Sequence, residues 1–390
     1  MMYDVIISGA GPAGSKCAEI VAKNGFKVAL IEKNTNWRKP CGGIVSSRIH
    51  KYYPQLRKLN FQQINSISMY SADFHNFKYS WKNMMDPAIN VDRLEFDNAI
   101  RNVAIDAGAE LFDKHLSFDF KRKSKQIIGI KTKASSGMKE YLGKIIVIAD
   151  GMSSKLVIKS GLRGKWKSNE IYTCKCAIME GKNLLDKGSN YFFFRPYKGY
   201  GWIIPLGENK FNIGAGLAKE PNVSYDVNKI YNEFLQDNNI KKFLPSSNYK
   251  EIWKAAYPLP ALGVKEKCLF GDNIMIIGDA AGFVSPISGE GIHASIVSGN
   301  IAAETANMAL INENISRETL KRYKSHPYIK KIIRNFKLKV SLTNFLNENK
   351  GRNLSKMFQL SEKDYNFREE LINMFLFNQA PSKELLVKLK

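Results

Sequence analysis

At 390 residues, 44% of them hydrophobic and with no low-complexity tract, the chain can bury a large core spread over about two or three lobes. Five scattered cysteines (Cys17, Cys41, Cys174, Cys176, Cys268) argue against a disulfide framework and for a reducing, cytoplasmic setting, and no charge-free apolar run reaches the about 18–20 residues that span a bilayer. The net charge of +23 favours anionic partners such as phospholipid head groups, diphosphates or acidic electron carriers; no nucleic-acid module accompanies it, and a solvated surface accounts for it equally well.

The chain enters a strand at once, Tyr3-Asp4-Val5-Ile6-Ile7, so no signal peptide is expected. Gly9-Ala10-Gly11-Pro12-Ala13-Gly14 follows. Gly9 lets the chain turn off the strand, Gly11 lets the backbone approach a pyrophosphate, and Gly14 lets the next helix lie close on the sheet. That helix, Pro12 to Asn24, presents its free N–H groups to an anion. Gly25 ends it, Phe26 to Ile31 forms a second strand, and Glu32 stands 18 residues after Gly14. A carboxylate there accepts from a ribose diol and repels a 2′-phosphate.

Ser66–Tyr70 and Phe77–Trp81 read as a hairpin around residues 72–76, and residues 86–108 as a helix carrying Arg93, Phe96, Asp97 and Ile100. Lys144–Ile148 is a buried strand ending in Ala149-Asp150-Gly151, where cofactors sit on open α/β sheets. From Ile171 to Leu217 the texture changes to short strands, Tyr191–Phe194, Tyr200–Ile204 and Lys210–Ile213, with turns at residues 196–199 and 207–209. Asn273–Ile277 is one more apolar strand. It runs into Gly278-Asp279-Ala280-Ala281-Gly282 and Gly289-Glu290-Gly291, which open another helix. One domain built from two separated segments grips a long cofactor at both ends, which points to FAD rather than NAD.

Residues beyond about 312 read as helical. Ile329, Ile332, Ile333, Phe336, Val340 and Phe345 share one face, ringed by Lys330, Lys331, Arg334, Lys337 and Lys339. Such a stripe either lies in a lipid interface or packs on the core. Cys174 and Cys176 point to one face of a strand with no second ligand pair nearby, so core packing rather than metal binding is expected. His293 reads as a packing histidine. No second nucleotide fingerprint is present, so the electron donor is expected to act transiently.

The order of the first glycine turn, Glu32, Arg93 within Val91–Asp97, Asp150-Gly151 and the Gly278–Gly282 segment resembles flavoproteins of the para-hydroxybenzoate hydroxylase fold. More narrowly, Lys39-Pro40-Cys41-Gly42-Gly43-Ile44-Val45-Ser46 is similar to the signature of the geranylgeranyl reductase family. Tyr200-Gly201-Trp202-Ile203-Ile204-Pro205 is similar to that family's Tyr-x-Trp-x-Phe-Pro motif, with Ile204 in place of Phe. The resemblance covers about residues 1–310.

It implies an α/β fold. A Rossmann-like FAD-binding domain would be formed by residues 1–60, 86–165 and 265–312. An antiparallel-sheet substrate domain would be inserted as 61–85 and 166–264, and 313–390 would be a helical C-terminal region. The implied activity is saturation of carbon–carbon double bonds in polyprenyl chains of lipids or diphosphates, with NADPH, ferredoxin or another carrier as donor and a peripheral contact with the inner membrane face. A class A flavin monooxygenase or a flavoprotein quinone oxidoreductase are the alternatives. The implied FAD contacts are Gly9, Gly11, Ala13, Gly14, Glu32, Cys41, Gly42, Gly43, Arg93, Leu116, Asp150, Gly151, Gly278, Asp279, Gly289, Gly291 and Ile292. Asp279 would accept from ribityl hydroxyls, the helix after Gly291 would stabilise negative charge on the reduced ring, and Arg93 would reach a phosphate or the flavin edge with its planar fork. Cys41, as proton donor or ring contact, and Tyr200 and Trp202, as an aromatic wall, form the expected catalytic pocket.

Overall fold

The computed structural model describes residues 2–81, 88–181, 184–195, 198–207, 209–218, 226–244, 249–260, 262–348, 352–377 and 379–389. The expected turn residues Pro196, Tyr197 and Glu208, and the first two residues of the helix expected from 86, lie outside them.

Met2–Ser8 is central to the first sheet. Val28–Ile31 and then Glu110–Phe112 lie parallel on one side of it; Gly137–Ile148 and Ile274–Ile276 lie parallel on the other, with Phe270–Gly271 antiparallel at the edge. Val5, Ile6, Ile7 and Ile145–Ile148 are fully buried. This β-branched run is what a sheet covered on both faces requires, and each such side chain contributes roughly 1.5–3 kcal/mol on burial. Because the neighbouring strands lie on opposite sides of Met2–Ser8, a crevice opens at the carboxyl ends. The helix Pro12–Lys23 packs on the helix Ile292–Ile311 beside that crevice.

Two local features differ from expectation. Ala88–Asn90 is a strand, pairing with Ile44–Ser46 and Gln62–Ile64 in a small three-stranded sheet, and the helix starts only at Arg93. Asp92 sets that start: its carboxylate accepts from Leu94 N at 2.8 Å, a favoured N-cap. The Leu116–Lys123 and Gln126–Ala134 hairpin, unforeseen because its exposed positions are rich in lysine, extends the long strand Gly137–Ile148.

The second sheet runs Tyr249–Pro260, Ile171–Gly181, Lys210–Ala218, Gly199–Pro205, Ser189–Phe194, Ser66–Tyr70, Asn76–Ser80. It is antiparallel except where Ser189–Phe194 pairs parallel with Ser66–Tyr70, a pairing the long intervening chain permits. Strand alternation sorts its side chains. Tyr191, Phe193, Ile203 and Ile213 face the helix Val227–Gln236, while Phe192, Trp202 and Ile204 face the opposite way.

On that opposite face lie the C-terminal helices Pro327–Asn347, Arg352–Lys363, Tyr365–Leu376 and Lys383–Leu389. The apolar stripe of Pro327–Asn347 is a core face: Ile329, Ile332, Ile333 and Phe336 join the core of the first sheet, and Leu342 and Leu346 that of the second. Lys339, grouped by its sequence spacing with the solvated lysines, points inward instead and is 0% exposed.

Candidate active site

Four strand ends meet at the crevice: Ser8-Gly9, Ile31-Glu32, Ile148-Ala149-Asp150 and the Gly278-Asp279 turn. They line a polar cavity of about 1100 Å³. Gly9 has φ +101°, and a Cβ there would sit 2.4 Å from Ala149 O. A Cβ on Gly11 would meet no atom within 4 Å, so the backbone there is open to the cavity. Glu32 Oε2 accepts from Ala10 N at 2.8 Å and its Oε1 from Asn34 N at 3.1 Å. Three buried polar atoms of lining residues, Asp150 Oδ1, Arg101 Nε and Ser117 Oγ, have no protein partner. Burial pushes the Asp150 carboxyl up to about 7. Unpaired buried donors and acceptors around an open glycine turn call for a polar ligand, and this set fits the ADP half of FAD. The protein is an FAD flavoprotein.

A second cavity of about 1670 Å³, counting its open mouth, adjoins the first. Lys39, Arg93 and Asp279 line both, so the two form one channel. Lys39 pairs with Asp279. Burial opposes the Lys39 charge, but Asp279 outweighs it and holds the ammonium above its usual range. The Arg93 fork does not face outward as expected: Nε and one terminal nitrogen donate to the two Asp97 oxygens at 3.1 and 2.8 Å. Burial works against this guanidinium, yet Asp97, and secondarily Cys41 beside it, keep it firmly charged. Cys41 Sγ also accepts from Gly43 N at 3.4 Å, and the Cys41 carbonyl accepts from Asn212 Nδ2 at 2.9 Å.

Beyond this junction the walls turn apolar. Tyr200 and Trp202 stand side by side, ring centroids 5.9 Å apart. The Tyr200 hydroxyl donates to Ser288 O, and Trp202 Nε1 donates to Asn212 Oδ1 at 2.7 Å, so both rings turn their apolar bodies to the cavity with their polar tips satisfied. Met69, Phe192, Phe194 and Ile204 continue the sheet wall; Leu346, Leu354, Met357, Leu371 and Phe375 form the opposite wall.

Of the expected contacts, Gly9, Gly11, Ala13, Glu32, Leu116, Asp150, Gly151 and Gly278 line the polar cavity, and Cys41, Gly42, Gly43, Tyr200, Trp202, Gly289, Gly291 and Ile292 the apolar one. Arg93 and Asp279 line both, whereas Gly14 lines neither and packs against Gly9. Cys174 and Cys176 are buried in the second core, as expected, and Cys174 also forms part of the apolar wall, with burial pushing its thiol up to about 12. The His293 ring packs edge-on against Tyr52. Among the described residues no group of three or more His, Cys, Asp or Glu is arranged to hold a metal ion, and no helix is long and apolar enough to cross a membrane. Lys39, Arg101, Ser117, Glu290 and the C-terminal wall were assigned no role from sequence. For Lys39 and Glu290 the only signal is their place within the two motifs, and for the helical wall it is apolar spacing alone.

The sequence profile of the pyridine nucleotide-disulphide oxidoreductase family matches residues 3–186. The chain is 31% identical over 330 residues to digeranylgeranylglycerophospholipid reductase 1 of Methanosphaera stadtmanae, covering 82% of this chain and 79% of that protein. It is 30% identical over 356 residues to digeranylgeranylglycerophospholipid reductase of Methanococcus aeolicus, covering 88% and 87%. A geranylgeranyl bacteriochlorophyll reductase-like protein of Thermoplasma acidophilum has the same fold, with TM-score 0.85 and 22% identity, covering 100% of this chain and 95% of that one.

Proposed function

The chain belongs to the digeranylgeranylglycerophospholipid reductase family, and from that premise we propose that it saturates carbon–carbon double bonds in the geranylgeranyl chains of a polyprenyl lipid. The carrying observation is the continuity of a polar cofactor cavity with a long apolar one through Lys39, Arg93 and Asp279. Bound and reduced, FAD supplies an electron pair and one hydrogen to an alkene carbon.

The protein's own contribution is binding and exclusion of water. An isolated double bond offers no polar handle, so the walls of Tyr200, Trp202, Phe192, Phe194 and Phe375 must hold it in register and keep the site dry. Gly291 and Ile292, which open the helix Ile292–Ile311, line the same cavity, so the positive end of that helix suits negative charge on the reduced ring. Lys39 and Arg93, each paired with a carboxylate, place N–H donors at the junction. A hydroxylase or quinone oxidoreductase would share the polar cavity, but the named relatives are lipid reductases.

Cys41 serves in this reading as a contact between ring and alkene, because its sulfur already accepts from Gly43 N and is held by Arg93. Cys41→Ala is expected to keep its FAD and slow saturation by less than about tenfold, the worth of one packed sulfur. A hundredfold loss would return the proton-donor role to it. The exposed Lys330, Lys331 and Arg334 suit a peripheral contact with anionic head groups on the cytoplasmic side, and a nicotinamide nucleotide or acidic carrier would dock transiently as donor. The deciding experiment incubates purified enzyme anaerobically, FAD reduced with dithionite, with a geranylgeranyl ether phospholipid in micelles. Lipid mass rising in steps of two hydrogens supports the reading; oxygen consumption without any such gain defeats it.

A further inference from the structure

Two ionisable side chains near the apolar cavity have no part in the reading above. Glu290 lies between Gly289 and Gly291 where the chain enters Ile292–Ile311, and it lines the cavity with Cys41, Tyr200 and Trp202. Its Oε1 accepts from His293 N at 2.8 Å, which fixes the carboxyl against the first helical turn. Among the described residues no cation comes within 4.0 Å of it. Lys339 is wholly buried, its Nζ donating to Met374 O at 2.6 Å, and it too has no described carboxylate within ion-pair distance. Lys339 stands behind the cavity wall, since Thr343, one turn on, and Phe375, next to Met374, both line it, and its ammonium and the Glu290 carboxylate favour one another across that packing.

The other charged groups around Glu290 are few. Asp279, although paired with Lys39, faces it from the preceding turn, and its charge helps push the Glu290 carboxyl up. His293 follows on the same helix and is held neutral, pushed down to about 4 by burial and by Arg48. Burial raises Glu290 to about 7 against the His293 and Ile292 N–H groups and Lys339; burial likewise lowers Lys339 to about 7 against Glu290. A carboxyl that keeps its proton near neutrality, in a water-poor cavity, matches the requirement of a general acid.

We propose that Glu290 is the acid that delivers the second hydrogen of double-bond saturation, with the buried Lys339 ammonium as the charge that steadies the carboxylate left behind. The inference rests on the double-bond reading above. With the electron pair and first hydrogen drawn from the bound cofactor, the remaining requirement is one proton. The Glu290 O–H bond breaks, its electron pair stays on oxygen, a C–H bond forms at the second alkene carbon, and the carboxylate regains a proton from water between turnovers.

Glu290→Gln isolates this role, because the amide oxygen still accepts from His293 N while no transferable proton remains. The test is a single-turnover assay with dithionite-reduced FAD and geranylgeranyl ether phospholipid across pH, read by lipid mass. Infrared titration of the carboxyl band is run on the same protein. Wild type should lose rate as pH rises through about 7, because the acid is then spent as carboxylate, and a protonated-carboxyl band should fade over the same range. Glu290→Gln should keep its FAD, lack that band, and be slowed by about a hundredfold or more with no limb near neutrality. Lys339→Met should move the limb to higher pH, since the carboxylate loses its steadying charge.

A Glu290→Gln rate within about threefold of wild type, a flat wild-type profile, or an unmoved limb in Lys339→Met overturns the proposal. Should Glu290→Gln fail to fold, the wild-type limb and the Lys339→Met shift decide it. Wild type that adds no hydrogen to the lipid overturns the reductase reading instead, and this inference with it.

Discussion

Gly14→Val should yield a colourless protein that does not take up FAD. A Cβ at this position would lie 1.9 Å from Gly9 O and 3.2 Å from Ala149 Cβ, so the helix Pro12–Lys23 must lift off the sheet to admit any side chain. Overpacking of this kind usually costs about 1–3 kcal/mol, and more where backbone opposes backbone, as here. The same movement carries the first-turn N–H groups away from the pyrophosphate position, so FAD affinity should fall by a factor of about 10³ or more, roughly 4 kcal/mol.

Gly11→Ala provides the contrast. Its methyl would meet no protein atom within 4 Å and would project into the polar cavity. The apoprotein should therefore melt as wild type does, while FAD binding weakens. Thermal unfolding with and without added FAD, together with the visible spectrum, separates the two effects. A yellow Gly14→Val protein with the wild-type melting temperature would show that the close contact between helix and turn is dispensable.

The cofactor half of the site was legible in the sequence because it depends on local backbone demands. Gly9, Glu32 and the Gly278-Asp279 turn each sit at a strand end, where only particular residue types allow the turn or supply the acceptor, and Gly14 lies in the helix that follows, where only glycine lets it close on Gly9. The strand before each turn was equally visible, since a sheet buried on both faces demands continuous apolar runs such as Ile145–Ile148. The substrate half was much less legible. Leu354, Met357, Leu371 and Phe375 meet the sheet only through long-range packing, and any large apolar residue at helical spacing would have read the same way. Arg93 was found, but its partner was not foreseen: an arginine and an aspartate four residues apart read equally well as a solvated helix pair. Lys339 shows the limit of counting faces. Its place among lysines suggested solvent, whereas the crossing of Tyr365–Leu376 over its helix buries it against the Met374 carbonyl.

Asp97→Ala should destabilise the apoprotein by about 3–5 kcal/mol, a large part of the roughly 5–15 kcal/mol that holds a typical domain. Arg93 and Asp97 are 5% and 7% exposed and are joined by two hydrogen bonds in a planar fork. Removing the carboxylate leaves a guanidinium that cannot shed its proton, in surroundings whose burial already works against its charge. Asp97→Asn should fall between, since an amide oxygen still accepts one of the two bonds. The double substitution Arg93→Met with Asp97→Leu should recover most of the loss, because an apolar pair of similar volume is often as stable as a buried ion pair. The recovered protein should nevertheless bind FAD poorly, as Arg93 stands where the two cavities join. Denaturant unfolding of the four proteins, paired with FAD titration, reads both effects. If Asp97→Ala lost under about 1 kcal/mol, the guanidinium would have found water or another acceptor, and the pair would be an exposed one in energetic terms. Stability restored without FAD affinity would instead mark the pair as a device of the binding site that the fold alone does not need.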